Sequence, residues 1–355
     1  MIDANSKRKL EHIEIASEHS DVDRNGHCFD QIKLVHRALP EIDFGAVDST
    51  TTFLDQTLSF PLLISAMTGG SDPKLRQINE NLALAAEHCK VAMSVGSQRV
   101  SFDSENAKNS FRLREFAPNT VLLANLGAVQ LNYGYGFEEC QASIELLRAD
   151  ALVLHFNPLQ ELLQNGGNTN FSNLIEKIAR IRDQLDVPVI LKEVGAGFST
   201  ADAALALRYG LNIIDVAGRG GTSWSLLEQR RHDAITSSDE QRDTLGEAFK
   251  DWGIATPDAL KLLRQQSDQL TLIASGGIRN GIDMVKAAIL GAELSGMALP
   301  FLAPALESAE SVIEKIEQLK AEFVTAMFLL GCEQFSEVMG NHDLLLPLTS
   351  FAKGS

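Results

Sequence analysis

The stretch PVILKEVGAG, residues 188–197, contains a short apolar run that ends in a charged pair and then in small residues. Near-continuous apolar runs of this length are typical of parallel strands that are buried on both faces. The same pattern occurs in PLLISAMTGG (61–70), VAMSVGSQR (91–99), TVLLANLGA (120–128), ALVLHFNP (151–158), NIIDVAGRGG (212–221), TLIASGGIR (271–279) and ELSGMALP (293–300). Together these runs predict eight buried strands.

The segments between the predicted strands are mostly helical in pattern. Apolar residues recur at three- and four-residue spacing in NLIEKIARIRDQL (173–185) and GIDMVKAAILGA (281–292), as in amphipathic helices. Alternating strands and helices predict an α/β fold with a parallel sheet, and eight such units favour a (β/α)8 TIM barrel. A doubly wound sheet could also use eight strands, but no GxGxxG motif follows the first run.

The predicted barrel spans residues 61–304 and leaves three further segments. Residues 1–60 are an N-terminal extension that we expect to reach the barrel mouth and to contribute substrate-binding residues. Residues 221–255 are a long polar insertion after the sixth strand, expected to be a mobile lid or a disordered loop. The next helix is predicted to begin at Thr256-Pro257. Residues 305–355 are predicted to form one or two helices that pack on the barrel.

Composition favours a soluble enzyme over a membrane or nucleic-acid-binding protein. The chain is 45% hydrophobic and 22% charged, which is ordinary for a soluble globular enzyme. A formal net charge of −16 argues against non-specific binding to nucleic acid or to an anionic membrane. Without an apolar signal core or a membrane-length apolar run, we expect a cytoplasmic protein. The cysteines form no CxxC pair and are predicted to be free thiols: Cys28, Cys89, Cys140 and Cys332.

The residues at the carboxyl ends of the predicted strands are mostly small, amide, hydroxyl or basic. In barrel enzymes this end carries the chemistry. Gly276-Gly277 offer backbone N–H groups to an anion, although two glycines are also typical of a tight βα turn. The set suits a polar ligand with a flat ring and a phosphate, and consists of Met67, Thr68, Gly69, Gly70, Ser97, Gln98, Arg99, Asn125, His155, Gln160, Glu161, Lys192, Glu193, Thr222, Gly276, Gly277, Ala298 and Leu299.

Lys192 lies inside an otherwise apolar predicted strand. Because a buried charge is costly, this lysine is either catalytic or faces a bound anion, or else it belongs to an internal ion pair. The adjacent Glu193 is a poor partner, since neighbouring strand residues face opposite sides. Another carboxylate would be needed for the ion pair.

The segment HFNPLQE, residues 155–161, has two interpretations. Asn157 is a favoured N-cap, Pro158 suits the first helical position, and Gln160 falls where a capping box places Glu or Gln. Alternatively, His155, Gln160 and Glu161 form part of an active site at the strand end.

The N-terminal run KRKLEHIEIA has a similar ambiguity. If it is helical, Arg8, Lys9 and His12 share one cationic face. Such runs are usually solvated, but in a chain this acidic the three residues could also bind a diphosphate.

Taken together, these motifs resemble those of the type 2 isopentenyl-diphosphate isomerases, which use FMN and magnesium. The matching stretches follow the family order over nearly the whole chain, and RKLEHI, VGSQR and HFNPLQE are the most specific. They are RKLEHI (8–13), AMTGGS (66–71), VGSQR (95–99), ANLGA (124–128), HFNPLQE (155–161), VPVILKEVGAGFS (187–199), DVAGRGGTSW (215–224), ASGGIRNG (274–281) and GMALPFL (296–302).

The resemblance implies a role for each site residue. FMN would contact Ala66, Met67, Thr68, Ser97, Asn125, Lys192 and Thr222, and its phosphate would lie on Gly276, Gly277, Arg279, Ala298 and Leu299. The substrate diphosphate would bind Arg8, Lys9, His12, Ser97, Gln98, Arg99 and His155. Gln160 would lie beside the isoprenyl chain, Glu161 would bind Mg²⁺, and Glu228 is a further candidate metal or diphosphate partner. The catalytic set would be Gln160, Lys192 and His155.

The implied reaction converts isopentenyl diphosphate to dimethylallyl diphosphate by a 1,3-allylic proton shift without net redox change. Reduced FMN would be the active cofactor, with Lys192 stabilising its anionic form. NADPH is the expected external reductant, although the sequence has no separate nicotinamide motif. The resemblance also implies a homo-oligomer, either a tetramer or an octamer.

Two alternatives stay open. An FMN-dependent 2-hydroxy-acid oxidase or dehydrogenase would use the same fold, but it needs a histidine base and arginines late in the barrel. SGGIRNG supplies Arg279 with no adjacent histidine, and His232 lies in the insertion. A flavin-binding barrel without catalysis would have no need of RKLEH together with Glu161.

Overall fold

The computed structural model of the protein describes residues 4–24, 28–235 and 244–347. The other parts of the predicted extension, insertion and C-terminal segment, namely 1–3, 25–27, 236–243 and 348–355, lie outside the described residues. Within the described ranges, every helix is too short or too polar to cross a lipid bilayer.

Eight parallel strands close into a barrel in which each strand pairs with the next, and the last pairs with the first. An antiparallel hairpin of β1 (Thr51–Phe53) and β2 (Gln56–Leu58) precedes them. The barrel strands are β3 (Leu62–Ile64), β4 (Ala92–Ser94), β5 (Leu122–Gly127), β6 (Ala151–Phe156), β7 (Val189–Glu193), β8 (Ile213–Asp215), β9 (Thr271–Ser275) and β10 (Leu294–Met297). Each lies inside one of the predicted apolar runs, so the predicted (β/α)8 barrel is confirmed.

Helices surround the barrel, and further helices lie in the segments before and after it. The predicted helices at 173–185 and 281–292 are present, as α7 and α12. The α-helices of the described residues are α1 (Ala4–Glu18), α2 (Pro73–Cys89), α3 (Val100–Asp103), α4 (Glu105–Lys108), α5 (Phe137–Leu147), α6 (Pro158–Leu163), α7 (Leu174–Arg182), α8 (Thr200–Arg208), α9 (Trp224–Ile235), α10 (Leu245–Ala248), α11 (Thr256–Gln266), α12 (Gly281–Ile289), α13 (Leu299–Glu307), α14 (Ala309–Leu330) and α15 (Phe335–Val338). The long C-terminal helix α14 packs against α2 and α12.

The hairpin of β1 and β2 closes one end of the barrel. Its buried residues Phe53 and Leu58 join the apolar cluster of the barrel interior, which includes Leu63, Ala92 and Val121 near the amino ends of the strands. The carboxyl ends are thereby left as the open mouth. The sequence pattern did not predict this hairpin.

The described part of the insertion after β8 contains helices and is not a disordered loop, and the alternative of a mobile lid stays a prediction. Its described residues include α9 and α10, and α9 packs against α1 and α6. Leu226 and Leu227 are buried in one cluster with Ile15 and Val22 of the N-terminal extension. Thus α1 and α9 stabilise each other beside the barrel mouth by burying apolar surface.

The helix after the insertion begins at Thr256 with Pro257 in its first turn, as predicted, but Thr256 is not its cap. Ala255 is the N-cap of α11, and Thr256 already belongs to the helix, followed by Pro257 in the first turn. The hydroxyl of Thr256 lies within hydrogen-bond distance of the carbonyl oxygens of Ser275 (3.0 Å) and Gly276 (2.6 Å). Thr256 therefore ties α11 to the loop after β9 and does not cap its own helix.

The loop after β9 depends on glycine for its shape. Gly276 and Gly277 have φ values of +94° and +82°, which L-residues rarely adopt. A Cβ at Gly276 would also lie 2.1 Å from the carbonyl oxygen of Gly218. The predicted tight βα turn is therefore present, and it packs directly against the loop after β8.

Replacing Gly276 with alanine is expected to lower the free energy of unfolding by more than the roughly 1–3 kcal/mol that backbone strain alone costs. The matched control is Gly134→Ala, because Gly134 has a similar φ of +93° but nothing within 4 Å of an added Cβ. Urea unfolding of both variants separates the steric clash from the φ penalty. Equal losses of stability would contradict the importance of the contact with Gly218.

Candidate active site

A cavity of about 240 Å³, open at its mouth, lies at the carboxyl ends of the strands. The predicted site residues on its wall are Arg8, Lys9, His12, Ala66, Met67, Ser97, Arg99, Asn125, His155, Gln160, Glu161, Lys192, Thr222, Gly276, Gly277, Arg279, Ala298 and Leu299.

Three of the residues predicted for the site, Thr68, Gln98 and the further candidate Glu228, are not on the wall of this cavity. Gln98 is fully buried, and its Oε1 accepts from the Asn125 backbone N–H while its Nε2 donates to the Ser143 carbonyl. Thr68 is 2% exposed, and its carbonyl accepts from the backbone N–H of Gly96. Thr68 and Gln98 support the loops that form the wall, and their contacts with FMN and with the substrate stay predictions.

The N-terminal run is helical and crosses the barrel mouth as α1. Lys9 Nζ donates to the Ser97 carbonyl at 2.8 Å, which ties the helix to the loop after β4. Arg8 and His12 also reach the cavity wall. Burial lowers the pKa of His12 although Glu228 opposes this shift, so His12 is not a third permanent cation of this face.

Asn157 does not cap α6. It occupies the N-cap position without a capping bond, and its Nδ2 donates instead to Gln160 Oε1 at 3.0 Å and to Glu161 Oε1 at 3.1 Å. Pro158 stands in the first turn as predicted. The capping-box interpretation of this segment is therefore wrong, and Asn157 is bonded to two of the three side chains that the active-site interpretation named.

Gln160 is held at both ends of its amide. While Oε1 accepts from Asn157, Nε2 donates to Glu228 Oε1 at 2.9 Å. One N–H and one lone pair of the amide stay available, and Gln160 lines the cavity. Asn157 and Glu228 thus fix which end of the amide carries oxygen and which carries nitrogen.

Glu228, on α9, is the centre of a buried polar cluster. It is 3% exposed, its Oε2 accepts from Arg231 Nη1 at 3.2 Å, and His12 Nε2 approaches its Oε1 at 3.1 Å. Burial raises the pKa of Glu228, but His12, Gln160 and Arg231 outweigh that effect and lower the pKa to about 2. Glu228 is therefore ionised at neutral pH.

Glu161 offers a single carboxylate beside the cavity. It is 7% exposed, and its Oε2 accepts from the backbone N–H of Asn168 at 2.6 Å. Close by, Asn157 Oδ1 is buried without a hydrogen-bond partner. Among the described residues, no group of three or more His, Cys, Asp or Glu side chains could hold a metal alone. The arrangement fits Mg²⁺, which binds proteins through one or two carboxylates and takes its other ligands from phosphate and water.

His155 is neutral at physiological pH. Burial lowers its pKa to about 4, and the nearby charges of Lys192 and Lys9 act in the same direction. Its Nδ1 lies 2.8 Å from Asn125 Oδ1, and the Asn125 Nδ2 donates to the Val95 carbonyl. Because Asn125 Oδ1 must then accept, the hydrogen of the neutral ring is on Nδ1.

Lys192 belongs to an internal ion pair, one of the alternatives left open by the sequence. Its Nζ donates to Asp215 Oδ2 at 2.7 Å and to Ser275 Oγ at 3.2 Å, and Ser275 Oγ donates to Asp215 Oδ1 at 2.5 Å. Glu193 faces away, as expected, and accepts backbone N–H groups of the following loop, including Gly195. Lys192 also lines the cavity, so the pairing leaves it beside any bound anion.

The glycine loop after β9 and the start of α13 form a cradle for an anion. Gly276 and Gly277 line the cavity together with Ala298, which is the N-cap of α13 and makes no side-chain capping bond. An uncapped helix N-terminus favours a phosphate. Arg279 borders the same region, where its Nη2 is hydrogen-bonded to Asp23 Oδ1.

Comparisons with known proteins agree with this geometry. Residues 151–344 match the model of the family described as FMN-dependent dehydrogenase. The flavin-binding domain of baker's yeast flavocytochrome b2 superposes with a TM-score of 0.66 at 18% identity, covering 100% of this chain and 82% of that one. A mandelate oxidase with an FMN adduct gives a TM-score of 0.60 at 15% identity, covering 96% and 91%. The fold and the site define a barrel of the FMN-dependent dehydrogenase class.

Closer relatives are enzymes named isopentenyl-diphosphate delta-isomerase. That of Hydrogenovibrio crunogenus is 53% identical over 96% of this chain and 98% of its own length. Those of Paracoccus zeaxanthinifaciens and Nostoc are 52% and 44% identical, covering 95% and 91% of this chain and 96% and 91% of theirs. The chain belongs to the isopentenyl-diphosphate delta-isomerase family, in its FMN-dependent type 2 form, and the resemblance seen in the sequence is confirmed.

Proposed function

We propose that the protein converts isopentenyl diphosphate to dimethylallyl diphosphate in isoprenoid biosynthesis, by a 1,3-allylic proton shift that requires reduced FMN and Mg²⁺. One observation carries the proposal: a single cavity combines a glycine and helix-terminus cradle with a separate set of cations and a lone carboxylate. These groups fit the phosphate of a cofactor and the diphosphate of a substrate bound with Mg²⁺.

The residues that fit FMN lie along the strand ends. The cradle of Gly276, Gly277, Ala298 and Leu299 would hold its phosphate, and the ring would lie against Ala66, Met67, Ser97, Asn125, Lys192 and Thr222. When bound in its reduced form, FMN supplies an electron-rich ring able to exchange protons and to stabilise a neighbouring cation. The positive charge of Lys192 favours the anionic reduced form.

The substrate diphosphate would be bound between α1 and the loop after β4. Arg8, Lys9 and Arg99 supply positive charge there in a chain of net charge −16. Glu161 would hold Mg²⁺ against the diphosphate oxygens. His155, neutral before binding, can donate to the diphosphate from Nε2 once the anion raises its pKa from about 4.

Gln160 would position the proton that moves between the two ends of the alkene. A neutral amide is a poor base, so its contribution is orientation of its N–H and lone pair at the reacting carbons. Behind Gln160, the ionised Glu228 holds the amide in place. Its negative charge also stabilises the positive charge that develops on the substrate.

A 2-hydroxy-acid oxidase on the same fold is the rival function. The described cavity wall carries two histidines, His12 and His155, and neither lies in the late barrel strands. Arg279, the late arginine, is already paired with Asp23. His232 of the insertion is not on the cavity wall. The arrangement of a histidine base beside arginines is therefore not reproduced, and lactate or glycolate is not expected to reduce the bound flavin.

The test is an anaerobic assay with purified protein, FMN, Mg²⁺ and isopentenyl diphosphate, with or without dithionite or NADPH. Dimethylallyl diphosphate is expected only in the sample that contains both reduced flavin and magnesium. If FMN is demonstrably bound and no product forms, the isomerase proposal fails. The same experiment compares NADPH, our proposed reductant, with dithionite, and light scattering tests the proposed tetramer or octamer.

A further inference from the structure

Asp215 lies directly behind the part of the cavity wall that Lys192 forms. Lys192 and Ser275 both line the cavity, whereas Asp215 is 1% exposed and borders a small space beneath it, inside the barrel. The register pairs Lys192 with Asp215 across β7 and β8. Asp215 therefore cannot contact a ligand in the cavity, and any effect on that ligand must pass through Lys192 or through its charge.

Stability alone does not account for this ion pair. The other side chains around the inner space are largely apolar and include Leu63, Val153 and Ile190. Replacing a buried ion pair by apolar residues is often neutral or stabilising, so its presence in an apolar barrel calls for a second reason. Lys192 is the member of the pair that faces the proposed FMN site.

We propose that Asp215 is a positioning residue that holds the Lys192 ammonium back from the flavin and offsets part of its charge. The consequence is a lower reduction potential for the bound FMN, and hence a more electron-rich reduced ring. The inference rests on the proposed binding of FMN in this cavity. In an enzyme whose reaction has no net redox change, a weaker interaction between Lys192 and the reduced flavin would keep the ring electron-rich.

The direction of the effect follows from charge. Reduction makes the bound flavin more negative, a nearby ammonium favours that form, and a carboxylate 2.7 Å from the ammonium opposes it. Asp215→Asn removes the charge with little change in shape and frees Lys192 to turn into the cavity. We expect the reduced form to be favoured at least tenfold more than in the wild type, an upward shift of about 30 mV for a two-electron couple.

The experiment is an anaerobic redox titration of the FMN-loaded wild type, Asp215→Asn and a second neutral variant, Asp215→Ser. The matched control is Glu293→Gln, because Glu293 is an ion-paired carboxylate, 3.1 Å from Arg264, just before β10 and away from the cavity. FMN content and thermal unfolding are measured in parallel. A structural role for Asp215 would change the unfolding temperature without moving the potential.

An upward shift in the neutral Asp215 variants and an unchanged potential in Glu293→Gln would support the proposal. An unchanged or lowered potential in an FMN-loaded Asp215 variant would overturn it, as would loss of FMN from both variants, because Asp215 would then be needed for the fold itself. Failure of the wild type to bind FMN or to isomerise the substrate would refute the proposed function instead, which keeps the two failures distinct.

Discussion

Replacing Gln160 with alanine is expected to lower isomerase turnover by about 10²–10⁴-fold, the range typical for loss of a positioned proton-transfer group. FMN should stay bound, because Gln160 lies apart from the glycine cradle of the loop after β9. The large effect follows from the fixed amide, which Asn157 and Glu228 hold at its two ends. The measurements are the turnover number under reducing conditions and the absorbance of the bound flavin.

Two further variants serve as a control and as a test of whether Gln160 and Glu228 act together. Leu162→Ala changes an exposed residue of the same helix, 65% accessible, and should leave turnover unchanged. Glu228→Gln should lower turnover in the same way as Gln160→Ala, and the double variant should be little worse than either alone, because residues that act as a unit are non-additive. Near-normal turnover of Gln160→Ala would remove Gln160 from the mechanism.

The barrel could be predicted because its strands are buried on both faces, which leaves continuous apolar runs in the sequence. The hairpin was missed because TTF and QTL are too short to show the alternation typical of strands. Helix α9 was missed because WSLLEQRRHDAI is mostly polar. Its burial depends on Leu226 and Leu227 meeting Ile15 of the distant α1, a tertiary contact that no local pattern shows.

The sequence predicted which residue types stand at the strand ends, but not which of these side chains are hydrogen-bonded to one another. Past the end of a strand, side chains lose their regular alternation, so Gln98 and Ser97 could not be told apart by position. Asn157 has the sequence context of a helix cap in either interpretation. Asp215 did leave a signal: a carboxylate inside an apolar run, on the strand next to that of Lys192, where each charge needs an opposite partner.

Replacing Glu161 with alanine is expected to raise the Mg²⁺ concentration needed for half-maximal activity. Loss of a residue that only supports a metal ligand typically lowers metal affinity roughly 10–100-fold. Because Glu161 would be a direct ligand, the required Mg²⁺ concentration should rise by at least as much. High Mg²⁺ should restore part of the turnover, since the substrate diphosphate supplies other oxygen ligands. The measurement is a magnesium titration of isomerase activity in the reduced, FMN-loaded enzyme.

Glu161→Gln separates the charge of this residue from its structural contacts. The amide oxygen can still accept from the Asn168 backbone N–H, so the loop between residues 161 and 168 keeps its tie while the site loses one negative charge. If the carboxylate binds magnesium, Glu161→Gln and Glu161→Ala should need similarly raised Mg²⁺. If the residue only orders its loop, Glu161→Gln should behave like the wild type. An unchanged magnesium dependence in both variants would refute the metal role of Glu161.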